Sequence, residues 1–92
     1  MVGAMRIQSA FVLVGQDQVA IIHVKPEITK DLMRARGAIS KFRHFLPNWE
    51  VVLMSRDKGL HPNYIGPGEI VSKLKKTDED NIPWGMYEIV PQ

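Results

Sequence analysis

Three histidines are the side chains of this sequence that are best suited to acid–base or metal chemistry, because imidazole titrates near neutral pH. His23 lies within an apolar run, His44 lies near the end of a helical pattern, and His61 stands beside Pro62. None of them has a second ligand at metal-binding spacing, such as another histidine one helical turn away. Cysteine is absent and no serine lies in a G-x-S-x-G motif. We therefore assign no metal site and no catalytic residue, and we expect no cofactor.

Aromatic side chains in the C-terminal third offer a candidate ligand site. Tyr64, Trp84 and Tyr87 could line one cleft together with His61. Amphipathic rings suit such clefts because the ring face packs against the ligand while one edge forms a hydrogen bond. Two interpretations stay open: the cleft serves a small-molecule-binding protein or an enzyme, or the rings fill the core. For Trp84 we favour the second, with the indole anchoring a loop that returns to the sheet.

Basic side chains recur along residues 27–46. At about 100° per residue, Lys30, Arg34 and Lys41 share the outer side of a helix. Such a row could bind nucleic-acid phosphates, with affinity falling steeply as salt rises. We favour the alternative, in which long basic side chains cover the border of an apolar stripe while their charges stay in water, because no aromatic residues alternate with them. Nucleic acid is therefore not an expected partner.

The segment at 66–69, with sequence GPGE, could either bind an anion or only start a helix. With Gly66 as N-cap, Pro67 takes the first helical position and Glu69 can reach back to the cap. A phosphate would then compete with a carboxylate in the same positive field of the helix. We expect a structural corner rather than an anion site.

Periodicity divides the chain into the elements that must position these side chains. Short apolar runs predict strands, which lie at 10–15, 19–24, 50–55, 60–65 and 84–90. An apolar stripe predicts a helix over 27–46, and Ile70, Val71 and Leu74 predict a shorter helix before residue 77. The predicted fold is α+β, one domain over residues 1–92 in the order ββαββαβ, with a mostly antiparallel five-stranded sheet and two helices on one face. We expect residues 1–8 to be disordered or derived from cloning.

The strands are apolar at successive positions, as in FVLV, VAII and VVLM, so both faces of the sheet need cover. Two helices on one face leave the other face open, and no third element is predicted to cover it. We therefore expect a homodimer that packs these open faces together.

Composition bounds the remaining function classes. A chain of 92 residues with 45% hydrophobic and 24% charged side chains is typical of a globular domain, and its apolar runs are too short to span a membrane. All twelve basic residues lie in 1–76, whereas four of the ten acids lie in 77–92. The absence of cysteine favours the cytoplasm. We expect a small, non-enzymatic binding or interaction protein, of the bacterial accessory kind, whose protein or small-molecule partner is unidentified; an enzyme and a nucleic-acid binder are the alternatives.

Overall fold

The computed structural model describes residues 4–56 and 62–90. The elements in chain order are β1 (Met5–Val14), β2 (Asp17–His23), α1 (Pro26–Lys30), α2 (Leu32–Phe45), β3 (Glu50–Ser55), β4 (Asn63–Ile65), α3 (Gly68–Lys75), a 3₁₀ helix (Glu79–Asn81) and β5 (Gly85–Ile89). The predicted α+β class and the ββαββαβ order are confirmed, with α1 and α2 taking the place of one predicted helix. No helix in the described ranges is long and apolar enough to cross a membrane.

The five strands form one sheet in the order β4-β3-β2-β1-β5. β2 and β3 run parallel, because the chain crosses between them through α1 and α2, and the other three pairings are antiparallel. The β1–β2 hairpin turns at Gly15, whose φ of 63° is the left-handed conformation that glycine adopts at little cost. Because β2 and β3 are parallel, their carboxyl ends lie at the same end of the sheet.

Helices α2 and α3 lie on opposite faces of the sheet, which corrects the prediction that both helices share one face. In β3, Val51 and Leu53 pack with α2, whereas Val52 and Met54 pack with α3. Successive side chains of a strand point to opposite faces, so the two clusters lie on the two sides of one sheet. We refer to these sides as the α2 face and the α3 face.

This arrangement removes the premise of the predicted face-to-face homodimer. The α3 face is covered within the chain by Ile70 and Leu74 of α3 and by Ile82, which follows the 3₁₀ helix. The segment after α3 therefore adds to this cover, because the buried side chain of Ile82 holds it against the sheet. Self-association through an open sheet face has no support from the packing.

The predicted helix over 27–46 is interrupted at Asp31, which corrects its continuity. Asp31 has extended backbone angles, with φ −113° and ψ 110°, and its carboxylate accepts hydrogen bonds from the amides of Met33 and Arg34 at 3.0 and 3.3 Å. An aspartate that satisfies the free amides of the following turn starts a new helix. Most of the apolar stripe still packs on the α2 face, from Ile28 in α1 to Phe42 in α2, whereas Leu32, next to the break, is 55% exposed.

The sheet also extends further towards the N-terminus than predicted. β1 begins at Met5 and pairs with β5 from Met5 opposite Ile89 to Ser9 opposite Gly85. Residues 5–8 therefore belong to the sheet rather than to a disordered N-terminal segment, because β5 supplies a partner strand for them.

Candidate functional site

The structure places the predicted cleft residues at different sites. Tyr64, in β4, and Trp84, just before β5, both pack against the cluster on the α3 face. Tyr87 lies on the α2 face instead, because it stands opposite Ile7 in the β1–β5 register. Its ring meets Phe11 edge to face, with 4.8 Å between centroids. His61 lies outside the described residues.

Tyr64 lines a pocket of about 440 Å³ at one end of the sheet. The described residues that line it come from the start of β4, the last turn of α3 and the segment that follows, namely Pro62, Tyr64, Leu74, Lys75, Thr77, Asp78 and Glu79. We call this hollow the Tyr64 pocket. Its lining combines apolar surface from Leu74 and Pro62 with side chains of both charges, which is the composition of a site for a small amphipathic molecule.

Local hydrogen bonds fix the segment that forms one wall of the Tyr64 pocket. The Thr77 hydroxyl donates to the carbonyl of Lys73 at 3.1 Å, which closes the C-terminal turn of α3. The Asp78 carboxylate then accepts from the amide of Asp80 at 3.0 Å and caps the 3₁₀ helix. Ile82 is buried on the α3 face, so the segment is held at both ends.

Glu79 connects this wall to the carboxyl end of β3. Its Oε1 atom lies 3.1 Å from the Arg56 guanidinium, which follows directly after β3. The Arg56 side chain is 54% exposed and the Glu79 side chain 25%, so solvent screens the pair and its effect on stability is small. The pair does orient the Glu79 carboxylate, because the guanidinium holds Oε1 and makes no hydrogen bond to Oε2.

Two polar atoms of the Tyr64 pocket are shielded from solvent without a hydrogen-bond partner in the described part of the chain: the Tyr64 hydroxyl and Glu79 Oε2. Buried polar atoms are nearly always paired, because an unpaired one forfeits its bonds to water. Leaving such a group unpaired typically costs about 1–3 kcal/mol. A donor for Glu79 and a partner for Tyr64 are therefore the groups that this site lacks.

The electrostatics of the site keep the Tyr64 hydroxyl protonated. Burial raises the pKa of Tyr64, the negative charge of Glu79 raises it further, and the Arg56 guanidinium acts in the opposite direction. A neutral phenol can donate one hydrogen bond and accept another. Tyr64 thus offers a hydrogen-bond donor, and Glu79 Oε2 an acceptor, in the lining of the same pocket.

Trp84 does not line the Tyr64 pocket, although it packs on the same face of the sheet. Its ring lies 6.3 Å from that of His23, at the carboxyl end of β2, with an angle of 72° between the two planes. The indole N–H is shielded and has no partner among the described residues. Of the four predicted cleft residues, Tyr64 alone is a described residue of the pocket lining.

The predicted basic row is divided by the break at Asp31. Lys30 ends α1, whereas Arg34 and Lys41 belong to α2. Arg34 also lies 3.7 Å from the Asp31 carboxylate, which partly neutralises it. The row therefore does not run along one continuous helix.

The glycine-proline corner packs against β3, which explains its composition. A Cβ atom on Gly66 would lie 2.8 Å from Val52 Cγ2, so only glycine allows this close approach. Helix α3 begins at Gly68 with Pro67 as N-cap and no side-chain cap, which corrects the predicted capping by Gly66 and Glu69. The hollow at this helix start contains the carboxylates of Asp17, Glu50 and Glu69, and their field repels anions.

Sequence reasoning missed Arg56, Lys75 and Glu79 as site residues. Acidic and polar residues at 77–81 are typical of a solvated loop, and nothing local marks Glu79 as half-buried. One available indication was Ile82, an isolated apolar residue in this polar stretch, since such a residue tends to anchor a loop on the core. Within residues 4–56 and 62–90 no group of three or more metal-binding side chains comes together.

No protein-family model, curated protein or solved structure matches this chain.

Proposed function

We propose that this chain is a small, non-enzymatic binding protein that holds a small polar molecule in the Tyr64 pocket. The observation that supports the proposal is the pair of shielded, unpartnered atoms, the Tyr64 hydroxyl and Glu79 Oε2, on residues that line one hollow. A ligand that carries a donor for Glu79 and an acceptor for Tyr64 would remove the cost of both atoms at once.

The charge of the lining indicates the class of ligand. Lys75 and Arg56 bring positive charge to the pocket and its border, while Asp78 and Glu79 bring negative charge. A polyanion would meet the two carboxylates, and a cation would meet Lys75 and Arg56. A neutral or zwitterionic molecule with adjacent donor and acceptor groups suits both signs.

We propose binding rather than catalysis because the Thr77 hydroxyl, which could otherwise act as a nucleophile, already forms a hydrogen bond within the chain. It donates to the Lys73 carbonyl and closes the end of α3. Tyr64, with its raised pKa, is suited to donate a hydrogen bond rather than to act as a base at neutral pH. We place the protein in the cytoplasm, with the absence of cysteine as support.

A thermal-shift panel tests the proposal. It contains three classes of compound with adjacent donors and acceptors: primary amides, free amino acids and nucleosides. At least one class should raise the melting temperature of the wild-type protein in a concentration-dependent manner. The increase in melting temperature should be lost in Glu79→Gln, which removes the negative charge of the acceptor. It should be reduced in Tyr64→Phe, which removes the hydroxyl donor.

Matched controls come from the other edge of the sheet. Tyr87→Phe and Glu88→Gln make the same chemical changes in β5, away from the Tyr64 pocket. These variants should retain the full ligand-induced shift. A shift that disappears equally in the controls, or a panel without any shift, contradicts the proposed function.

A further inference from the structure

The two edges of the sheet differ in how they are protected against pairing with another strand. β4 is three residues long and is bounded by Pro62 and by the corner at 66–68. Short edge strands with prolines nearby resist pairing with other chains. β5, at the opposite edge, is five residues long and contains neither proline nor lysine. It pairs with β1 on one side, and no described strand pairs with its other side.

The β5 edge also carries exposed apolar side chains on both faces. Met86 is 65% exposed on the α3 face and Tyr87 is 41% exposed on the α2 face. Val90, directly after the strand, is 55% exposed. These are three of the six large apolar side chains that are exposed within the described ranges. An unprotected strand edge flanked by exposed apolar side chains can pair with a strand of another chain.

The Tyr87 ring is held in place on this edge. It lies edge to face against Phe11, whose ring in turn meets Trp49 with 4.9 Å between centroids. The ring also covers Gly85, where an added Cβ would lie 3.1 Å from Tyr87 Cε2. A fixed aromatic side chain loses little conformational entropy when a partner packs against it.

The charges of the edge suit an identical strand. Glu88 is the only charged residue of β5, and it stands opposite Arg6 in the β1–β5 register. The opposite charges of these two cross-strand neighbours sum to zero, so two copies can approach without strong repulsion. A partner selected by charge would require a net charge here, whereas a self-pairing edge requires a balanced one.

We propose that two copies of this chain pair antiparallel through β5 and form a two-fold symmetric dimer with one continuous sheet. Strand-to-strand pairing of the same edge closes on itself, so it gives a dimer rather than a filament. The interface differs from the face-to-face packing expected from the sequence, and it is independent of the proposed ligand site.

Sedimentation equilibrium over a range of protein concentrations tests the dimer. The wild-type protein should reach twice the 10.5 kDa mass of the chain. Met86→Lys should weaken dimerisation at least about tenfold, since the two-fold axis places the lysine in the interface twice. The matched control is Leu13→Lys, which alters an equally apolar residue, 71% exposed, in the part of β1 beyond its pairing with β5. This control should dimerise as wild type does.

Hydrogen exchange provides a second measurement that does not depend on a variant. In the wild-type protein, the β5 amides that point away from β1 should become protected as the protein concentration rises. A wild-type chain that stays at 10.5 kDa at roughly tens of micromolar overturns the proposal. It is also overturned by equal weakening in the two lysine variants, or by a dimer in which the β5 amides exchange as fast as in the monomer.

Discussion

The sign of the stability change caused by Tyr64→Phe shows whether the Tyr64 hydroxyl lacks a hydrogen-bond partner or has one. The substitution keeps the ring that packs on the α3 face and removes only the oxygen, which has no partner among the described residues. Removing a hydroxyl that has a hydrogen bond typically destabilises a protein by about 1 kcal/mol. Removing one that is buried without a partner relieves a desolvation cost of about 1–3 kcal/mol.

Because Tyr64 is only half-buried, we take the low end of that range. The variant should unfold with a free energy between that of the wild type and about 1 kcal/mol above it. For a chain of this length, 1 kcal/mol corresponds to an increase of about 4–8 °C in melting temperature. Urea denaturation and a thermal scan at neutral pH measure both quantities.

The same variant should alter the dependence of stability on pH. Folding raises the Tyr64 pKa above its ordinary value of 10.0, so the neutral phenol favours the folded state. This contribution is fully present below pH 10 and is lost as pH rises through the higher pKa of the folded protein. Above pH 10 the wild type should therefore lose stability more steeply than Tyr64→Phe.

A loss of about 1 kcal/mol or more at neutral pH would refute the reasoning. It would mean that the hydroxyl has a hydrogen-bond partner within the folded chain, and the Tyr64 pocket would then lack one of its two unsatisfied atoms. Parallel pH profiles of the wild type and the variant would refute the electrostatic part of the argument separately.

Three further predictions test the local structure and the basic row. In urea denaturation, Gly66→Ala should lower the free energy of unfolding by about 1–3 kcal/mol, because the added Cβ meets a fully buried valine of β3. The control Gly68→Ala should be neutral or slightly stabilising, because its added Cβ meets no other atom. Equal effects of the two substitutions would contradict this packing. Asp31→Ala should lose about 0.5–2 kcal/mol of stability and Asp31→Asn less, because asparagine retains the capping oxygen. The triple change to Gln at Lys30, Arg34 and Lys41 should not alter duplex DNA binding in a salt titration, and a reduced salt slope would instead support a nucleic-acid function.

β2, β3 and the second half of β1 were predictable from the sequence because each is a short apolar run, whereas residues 5–9 of β1 were missed because their partner strand, β5, is distant in the chain. The position of the helices was not predictable. Both faces of β3 are apolar, which shows that both need cover but not which element covers each. The choice of face is set by the crossover connections, α1 with α2 on one side and α3 with the 3₁₀ helix on the other, and the local pattern carries no information about it.

The break at Asp31 shows a different limit. The apolar spacing over 27–46 is satisfied equally by one helix and by two helices that pack on the same face. The capping preference of aspartate was the available indication, and it was outweighed by the long regular stripe.

The site could be predicted only in part, because its polar contacts join distant segments. Tyr64 was identified from its residue type, but the Arg56–Glu79 pair joins residues 23 positions apart in the printed sequence. Pairing at that distance depends on the path of the chain after α3, which Ile82 fixes by burial. A single buried side chain in a polar segment therefore decided which carboxylate reaches the pocket.

The two proposed surfaces are compatible because the strand order separates them. Tyr64 lies in β4 and the dimer edge is β5, with three strands between them. At about 4.8 Å per strand, the two edges are roughly 19 Å apart. In a dimer joined at β5, the two β4 strands occupy the outer edges of the combined sheet, so each Tyr64 pocket stays open to solvent. Ligand binding at one copy then neither blocks the interface nor requires it, and the two proposals can fail independently.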